Sequence, residues 1–297
     1  MSTFKIIIDR KKCSNCGLCM KDCISGCLLL MDGRPAAVNP GWCSLCGHCV
    51  AICPKSAVEH SGLKGMPARE IDKENYNPQM YWNIVTTRRS IRRFKDKAVP
   101  EKIIEDILHL AAYSPTASNT RDVGYTVITD KDRIRAIGQV IYKKFEKIMR
   151  FLKRPPASMF LAILNIFAPK KSIGRYLDRQ EFFTEWVREG RDIITHGAPA
   201  LILIHGPKRS RFARENSAIA ACNITNYAHA KGLGTCYIGL INVALDLNGK
   251  LSQKFDIPKG RKIYIAVILG YPAHRYQNTA IRPDPVINWI GGNRPAR

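Results

Sequence analysis

The cysteines are the residues in this 297-residue sequence whose type and spacing most directly imply chemistry. Nine of the 11 lie between Cys13 and Cys53, and eight of these form two copies of the spacing C-x2-C-x2-C-x3-C. The first cysteine motif comprises Cys13, Cys16, Cys19 and Cys23, and the second comprises Cys43, Cys46, Cys49 and Cys53. Two tight C-x2-C steps let three thiolates of one loop reach three corners of an iron–sulfur cubane.

The fourth cysteine of such a motif ligates the other cluster, because it cannot easily close on its own. This logic predicts two [4Fe-4S] clusters with crossed ligand sets. The first cluster site is Cys13, Cys16, Cys19 and Cys53; the second is Cys43, Cys46, Cys49 and Cys23. Structural zinc fits poorly, since it typically uses four ligands in two separated pairs. Clusters of this kind exchange single electrons at low potential, and a purely structural role is the alternative.

These motifs resemble the two-cluster bacterial ferredoxins, and residues 1–62 are identified as a ferredoxin-like domain. One departure from the ferredoxin pattern is Ile24, which follows Cys23 where proline is expected. The ninth cysteine, Cys27, is predicted to be a buried packing thiol, and the alternative is that it replaces Cys23 as a ligand. His48 and His60 are interpreted as ordinary surface or packing residues.

The compartment follows from weak signals. The N-terminal apolar run Ile6–Ile8 is too short for a signal peptide, so we expect a cytoplasmic protein, where cysteine clusters usually bind metal. The longest apolar stretch, residues 158–168, is shorter than the roughly 20 residues that a membrane-spanning helix needs. A hydrophobic content of 45% excludes a disordered chain.

After residue 62 the sequence predicts a linker over residues 63–80 and then interleaved helices and strands. Pro100 begins a helical pattern, and residues 215–231 form another that Gly232 caps. The predicted strands are residues 124–129, 200–205 and 263–269. The fold class is therefore α+β, with a ferredoxin-like domain followed by a second, α+β domain at residues 81–297.

Three segments of this second domain could bind a ligand. The arginine segment, residues 87–94, contains the sequence RRSIRRF, whose guanidinium groups suit phosphate oxygens. The small-residue turn, Ser114–Asn119, has the sequence SPTASN, and the glycine segment, Lys231–Leu240, has the sequence KGLGTCYIGL. Glycines allow the backbone to approach a flat ligand closely. The glycine segment lacks the pattern of a dinucleotide-binding Rossmann site.

Together with GAPALILI, and with LGYP followed by Arg282, these segments resemble the nitroreductase family of FMN flavoproteins between about residues 80 and 285. The resemblance implies an α+β homodimer with FMN at the subunit interface. It implies that the FMN phosphate and ribityl oxygens are bound by Arg88, Arg89, Ser90, Arg92 and Arg282.

The same resemblance assigns flavin-ring contacts to two further groups of residues. Pro115, Thr116 and Asn119 would reach the isoalloxazine of the other subunit's FMN. Ile238, Gly239 and Leu240 would lie near flavin N5 and O4 with their backbone N–H groups as donors. Arg121, Asp122 and Val123 depart from the family's usual continuation of the small-residue turn, Gln-Pro-Trp. Cys222 and Cys236 are predicted to be buried packing thiols.

Residues 142–190 fit the family pattern least well and are interpreted as an insertion that forms a lid or wraps a dimer. Contact of residues 158–168 with an anionic membrane surface is the alternative, because basic residues flank this apolar run.

The implied function is an oxidoreductase relay. Electrons pass singly from a low-potential donor through two clusters to FMN, and then as a pair to a small organic acceptor such as a nitroaromatic, quinone or activated alkene. No catalytic acid or base stands out. The alternatives are an electron-storage or sensor protein without turnover and a nucleic-acid-binding iron–sulfur protein.

The net charge of +23 bears on the partners. The clusters and the FMN phosphate together offset about 6 of these charges. The remaining positive charge predicts an acidic electron donor such as ferredoxin or flavodoxin. A nucleic-acid partner is not expected, because the basic runs lie at the phosphate site and around residues 142–190 rather than among exposed aromatic residues.

Overall fold

The computed structural model describes residues 4–65, 68, 70–155, 178–247 and 255–291. Its N-terminal module, residues 4–62, contains four short strands and two one-turn helices. These are β1 (Ile6–Ile8), α1 (Leu18–Lys21), β2 (Leu28–Met31), β3 (Arg34–Ala37), α2 (His48–Ala51) and β4 (Val58–His60), with a 3-10 turn at Pro40–Trp42. Strand β1 pairs antiparallel with β4, and β2 pairs antiparallel with β3.

The module is an internal repeat, because each element of the second cysteine motif lies 30 residues after its counterpart in the first. Gly17 and Gly47 precede the two one-turn helices, with φ of 72° and 78°. This left-handed conformation is favourable for glycine, and it turns each cysteine loop back on itself. The buried core between the halves is small and comprises Ile6, Cys19, Cys27, Leu28 and Val58.

The C-terminal domain, residues 78–291, is built around one four-stranded sheet. Its helices are α3 (Pro78–Thr87), α4 (Glu101–Ala111), α5 (Lys131–Leu152), α6 (Gln180–Arg188), α7 (Ala213–Ala230) and α8 (Gly239–Leu247). Its strands are β5 (Gly124–Ile128), β6 (Ala200–Pro207), β7 (Gly234–Tyr237) and β8 (Arg261–Gly270). The strand order is β5-β6-β8-β7, and every neighbouring pair is antiparallel.

Strand β6 lies at the centre of the domain and is buried on both faces. Alternate side chains of a strand point to opposite faces of the sheet, and here both faces meet helices. Ile202 and Ile204 belong to the core beneath α4 and α7. Leu201 and Leu203 belong to the core beneath α5 and α8. The sheet is therefore the middle layer of three, which agrees with the α+β expectation.

Local signals explain where the helices begin and end. The side chains of Asn77 and Asp130 cap α3 and α5 by accepting hydrogen bonds from the N–H groups of Met80 and Arg133. Gly232 follows the end of α7 with φ of 77°, as predicted for its cap.

Two regions differ from the sequence-based expectation. Helix α5 continues to Leu152, so residues 142–152 extend a helix whose Tyr142 and Met149 are buried. Strand β7 lies within the glycine segment, where no strand was expected. Residues 158–168 lie outside the described part of the chain. Among the described residues, no helix is both long enough and apolar enough to span a membrane.

Candidate functional site

The four cysteines of the predicted first cluster site line one cavity in the N-terminal module. Cys13, Cys16, Cys19 and Cys53 all face it, together with apolar side chains that include Ile8 and Val58. Burial raises the pKa of the Cys19 thiol, and the nearby Cys53 and Cys13 thiols raise it further. The structure thus brings the last cysteine of the second motif to the first motif.

The reciprocal arrangement is found at the second site. The pKa of Cys49 is raised to about 11 by burial and by the nearby thiols of Cys46, Cys43 and Cys23. Iron is ligated by the thiolate, so binding of iron at this site would displace the thiol proton. Cys23 therefore lies with the second motif, and iron ligation by these residues stays a prediction.

Backbone N–H groups donate hydrogen bonds to the thiols, and such bonds tune iron–sulfur clusters. No three His, Cys, Asp or Glu side chains in the described residues converge on one point as they would around a single metal ion. A cubane differs from such a site, because it takes one thiolate at each of its four irons. Several backbone N–H groups donate to sulfur, among them Cys27 N–H to Cys23 Sγ (3.3 Å), Leu45 N–H to Cys43 Sγ (3.3 Å) and Ala57 N–H to Cys53 Sγ (3.2 Å).

Cys27 and His60 adjoin the second site. Cys27 is 1% exposed, as predicted for a packing thiol. Burial and the nearby thiols of Cys23 and Cys43 raise its pKa to about 12. His60 is also buried, and its Nε2 lies 3.3 Å from Cys43 Sγ. The contact of His60 with sulfur differs from the expected surface or packing role. The sequence signal for it is the internal repeat, since Leu30 holds the equivalent position.

In the C-terminal domain, the arginine segment lies along the glycine segment. Ser90 forms a parallel bridge with Thr235, and the N–H of Ile91 donates to the Thr235 carbonyl at 2.9 Å. The Cys236 thiol is buried beside Arg92 and Ser90. Gly234 permits this approach, because a Cβ at that position would lie 2.5 Å from Ile91 Cγ1. Two of the three predicted flavin-binding segments are therefore neighbours.

The guanidinium groups of the arginine segment suit an anionic ligand. Arg89 Nη1 donates to the carbonyls of Thr86 and Arg88, both at 2.8 Å, and its Nη2 donates to the Asn278 carbonyl. Arg92 is exposed. In the described part of the chain, Arg88, Arg89 and Arg92 form no salt bridge with a carboxylate. A phosphate would supply the missing negative charge.

The small-residue turn is fixed by helix α7. The N–H of Ala117 donates to Asn216 Oδ1 at 3.0 Å, and Asn216 Nδ2 donates to Asp122 Oδ1 at 3.1 Å. Farther along the helix, Asn223 Nδ2 donates to Ser114 Oγ at 2.9 Å. Thr116 braces the turn from within, because its hydroxyl accepts from the Arg121 N–H. Pro115 is exposed on this turn.

Helix α7 also supports the other two segments. Thr225 Oγ1 lies 3.4 Å from the Tyr237 hydroxyl, and His229 Nε2 lies 2.8 Å from Thr87 Oγ1. Burial lowers the pKa of His229, and the nearby charges of Arg88 and Arg89 lower it further. The polar residues of α7 were missed by sequence reasoning. The sequence signal for these residues is that Asn216 and Thr225 occur within the apolar pattern of the helix. The structure shows that both side chains are buried.

The end of the glycine segment offers backbone donors at the start of helix α8. The N–H of Ile238 is already used, since it donates to the Ala266 carbonyl at 2.9 Å. The Ile238 N–H therefore already has a partner within the sheet, and the expected hydrogen bond from it to the flavin is not supported. Gly239 begins α8, and the first N–H groups of a helix lack intrahelical partners. A Cβ at Gly239 would meet no atom within 4 Å, which leaves open space for a flat ligand beside Gly239 and Leu240.

The remaining predicted residues have mixed outcomes. Cys236 is buried as expected, but Cys222 is exposed, so its prediction as a buried packing thiol is wrong. Cys222 lies on the face of α7 that points away from the sheet core. Arg282 is exposed in the extended segment that follows β8, a few residues beyond Asn278. Its contact with a phosphate stays a prediction.

One hydrogen bond joins the two candidate sites. The side-chain amide of Asn119 in the small-residue turn donates from Nδ2 to the Ser44 carbonyl at 2.8 Å. Ser44 lies between Cys43 and Cys46 of the second motif. A residue predicted to contact flavin thus contacts the cysteine loop.

Comparisons with known proteins agree with this division of the chain. Residues 85–271 match the model of the nitroreductase family, and residues 5–54 match the model of a 4Fe-4S dicluster domain. Iodotyrosine deiodinase 1 of Rattus norvegicus is 24% identical over 207 residues, covering 66% of this chain and 63% of that protein. The chain thus spans just under two thirds of the length of this relative.

Solved structures show the same fold. A nitroreductase of Bacteroides fragilis with bound FMN superposes with a TM-score of 0.53 and 16% identity, covering 72% of this chain and all of that one. An FMN-dependent nitroreductase of Clostridium difficile superposes with a TM-score of 0.52 and 18% identity, covering 71% of this chain and all of that one. The family model matches well over half of the chain, and the protein belongs to the nitroreductase family, with a ferredoxin-type module at its N-terminus.

Proposed function

We propose that this protein is an iron–sulfur flavoprotein oxidoreductase that takes electrons singly from a low-potential donor and delivers them in pairs to a small organic acceptor. The observation that carries the proposal is the Asn119–Ser44 hydrogen bond. It joins a cysteine loop to a turn of the C-terminal domain, residues 78–291, which we call the flavin domain. Two [4Fe-4S] clusters would supply one-electron chemistry, and FMN would supply the change to two-electron chemistry.

Separate sets of residues would hold the two clusters and the FMN. The two crossed cysteine sets provide four thiolates to each cluster. Arg88, Arg89 and Arg92 provide positive charge for the FMN phosphate, with Ser90 as a hydroxyl donor and Arg282 as a further cation. Gly239 and Leu240 provide N–H donors at the start of α8 for the flavin ring.

The protein's own groups orient the site rather than transfer protons. Helix α7 fixes the small-residue turn through Asn216 and Asn223, so Pro115, Thr116 and Asn119 are presented in a defined conformation. Their reach to the flavin of a partner subunit is part of the proposal. Protons for the acceptor come from water or from groups of the substrate pocket.

A homodimer is part of the proposal. Helix α3 has no buried residue, and its Met80, Tyr81, Trp82 and Val85 are exposed apolar side chains. Four exposed large apolar side chains on one short helix favour an interaction surface. Sedimentation velocity should give twice the chain mass, and a monomer at micromolar concentration would contradict the dimer.

The first experiment measures the cofactors of the whole chain. After anaerobic purification and reconstitution, we expect about eight irons and about one FMN per chain. Iron well below eight would contradict the two-cluster assignment. Arg88→Ala should lower FMN occupancy while leaving iron unchanged, and full FMN retention would count against the phosphate site.

The second experiment identifies the reaction class. The protein is reduced anaerobically, and nitroaromatic, quinone and activated-alkene acceptors are added while the flavin absorbance is followed. Rapid reoxidation by one class, with two electrons and two protons appearing in the product, supports the reductase. If none of them reoxidises the flavin, an electron-storage or sensor role is favoured instead.

A further inference from the structure

The internal repeat of the ferredoxin module allows the two cluster sites to be compared position by position. Each residue of the first half has a counterpart 30 residues later. Because the fold of the two halves is the same, differences between counterparts show how the sites differ in function. Three such differences concern hydrogen bonding to sulfur, contact with the flavin domain, and surface charge.

The first difference is the hydrogen bond from His60. The N–H of Gly62 donates to His60 Nδ1 at 3.1 Å, so Nδ1 is an acceptor and the ring proton resides on Nε2. Nε2 lies 3.3 Å from Cys43 Sγ and donates to it. Phe4 packs on the imidazole ring with centroids 4.9 Å apart and fixes its orientation. The counterpart, Leu30, cannot donate a hydrogen bond.

A hydrogen bond to a ligating sulfur has a known direction of effect. It withdraws negative charge from the thiolate, so it stabilises the reduced state, which has one more electron, over the oxidised state. A donating His60 would therefore make a cluster at the second site easier to reduce. Leu30, at the position equivalent to His60, is apolar and 63% exposed and donates no hydrogen bond. In the first half the Ser14 side chain hydrogen-bonds Cys16, and its counterpart in the second half is also a serine, Ser44, so the imidazole is the added donor of the second half.

The second difference is the contact with the flavin domain. The Ser44 carbonyl of the second motif accepts the hydrogen bond from Asn119, at 2.8 Å. Asn119 is not on a loose loop, because its own N–H donates to the Thr116 carbonyl and α7 holds the turn. The second motif is thus directed at the flavin domain by a braced contact.

The third difference is charge at the approach to the first cysteine of each motif. Arg10, Lys11 and Lys12 precede Cys13 and are exposed, whereas Pro40, Gly41 and Trp42 precede Cys43. Asp9 lies 3.7 Å from Lys12 Nζ and offsets part of this charge. Arg10 and Arg34 line a shallow cavity with Cys13. An acidic protein surface is complementary to this end of the module.

From these differences we propose that electrons enter the ferredoxin module at the first motif, where an acidic donor protein docks on Arg10, Lys11 and Lys12, and leave it at the second motif, where His60 is the positioning residue that raises the reduction potential. Each passage moves one electron from the donor, which is oxidised, to the flavin. Two passages and two protons complete flavin reduction. The inference rests on the proposed function and adds a direction to it.

The decisive test of the direction is an anaerobic redox titration of the whole holoprotein followed by electron paramagnetic resonance. In His60→Leu, which copies Leu30, one cluster should become harder to reduce, while the other cluster and FMN keep their potentials. That cluster should be the higher-potential one in the wild type. His60→Gln, which keeps a side-chain N–H, should recover part of the shift. No shift, or a shift in the lower-potential cluster, would overturn the assignment.

The contact and the docking surface are tested by rapid mixing with a reduced bacterial ferredoxin. Asn119→Ala should slow flavin reduction several-fold while dithionite still reduces both clusters at the wild-type rate. Reversal of Arg10, Lys11 and Lys12 to Glu should slow reduction by ferredoxin but not by dithionite. The matched control reverses Lys208, Arg209 and Arg211, exposed on the flavin domain, to Glu. If ferredoxin reduces the flavin at the same rate in Asn119→Ala, in the first-motif reversal and in this control, the inference is refuted.

Failure of the inference and failure of the proposed function are distinguishable in these experiments. If the wild type lacks clusters or FMN, or its flavin is never reduced, the proposed function fails. If the wild type is loaded and its flavin is reduced, yet the three sets of variants behave as the wild type does, only the direction through the module fails.

Discussion

The ferredoxin module and the flavin domain are stabilised in different ways. The apolar core of the module consists of five buried residues between its two halves, two of which are cysteines. The flavin domain buries both faces of β6 and forms two extensive apolar cores. Domains of this size bury little apolar surface and are marginally stable, and many of those with metal sites depend on the metal to fold. We therefore expect the module's fold to depend on iron and the flavin domain's fold to depend on packing.

The largest effect should follow removal of iron. Chelation under reducing conditions should unfold residues 4–62, because the cysteine loops lose the groups that hold them together, and should leave the flavin domain folded. Hydrogen exchange with mass spectrometry measures both regions in one sample. If amide hydrogens of the module stay protected from exchange after complete iron loss, its fold does not depend on iron, which contradicts the expected difference between the two regions.

A core substitution should produce the opposite result. Ile202 is fully buried at the centre of the sheet, so Ile202→Ala should lower the free energy of unfolding of the flavin domain by about 2–5 kcal/mol. Iron content per chain should not change. Val127→Ala on the partly exposed face of β5 is the control and should cost clearly less. Loss of iron in parallel with stability would show that the two regions fold as one unit.

The polar support of the small-residue turn should have an intermediate effect. Asn216→Ala leaves the Ala117 N–H and the turn without their partner, which should cost about 1–3 kcal/mol of stability. Asn226→Ala, on the same helix and with only a long contact to Cys222 Sγ, should change stability by less than about 0.5 kcal/mol. Chemical denaturation monitored by circular dichroism measures both, and equal costs would argue against a supporting role for Asn216.

The smallest effect should be at Cys27. Alanine stands at the equivalent position 57, so Cys27→Ala should change neither iron content nor, by more than about 1 kcal/mol, the stability. Cys23→Ala should remove about half of the iron, since Cys23 is assigned to the second cluster. If Cys27→Ala loses iron and Cys23→Ala does not, Cys27 is the ligand.

The two regions also differ in how far the sequence predicts them. Ligand spacing is a local property, so Cys13 to Cys23 and their repeat indicated the clusters directly. Periodicity predicted α4 and α7, whose apolar residues face the sheet. Strand β7 is not predicted from the sequence, because glycine is unusual in a strand. Glycine is needed at position 234 because Ile91, far away in sequence, packs closely against it.

Long-range contacts account for what could not be predicted in the site. Asn119 was assigned to the flavin, but its amide also reaches Ser44, which lies 75 residues earlier in the chain. Asn216 looked like an unremarkable helix residue, because its role depends on a turn 99 residues away. Cys222 was expected inside because cysteine is commonly buried, yet helix rotation places it outside.

The most direct test of the account is flavin reduction in the whole chain by reduced ferredoxin, measured by anaerobic rapid mixing. The matched sample is loaded with FMN and has lost its iron. We predict fast flavin reduction in the iron-loaded protein and its loss in the iron-free sample. Equal rates in the two samples would contradict the claim that the ferredoxin module delivers electrons to the flavin.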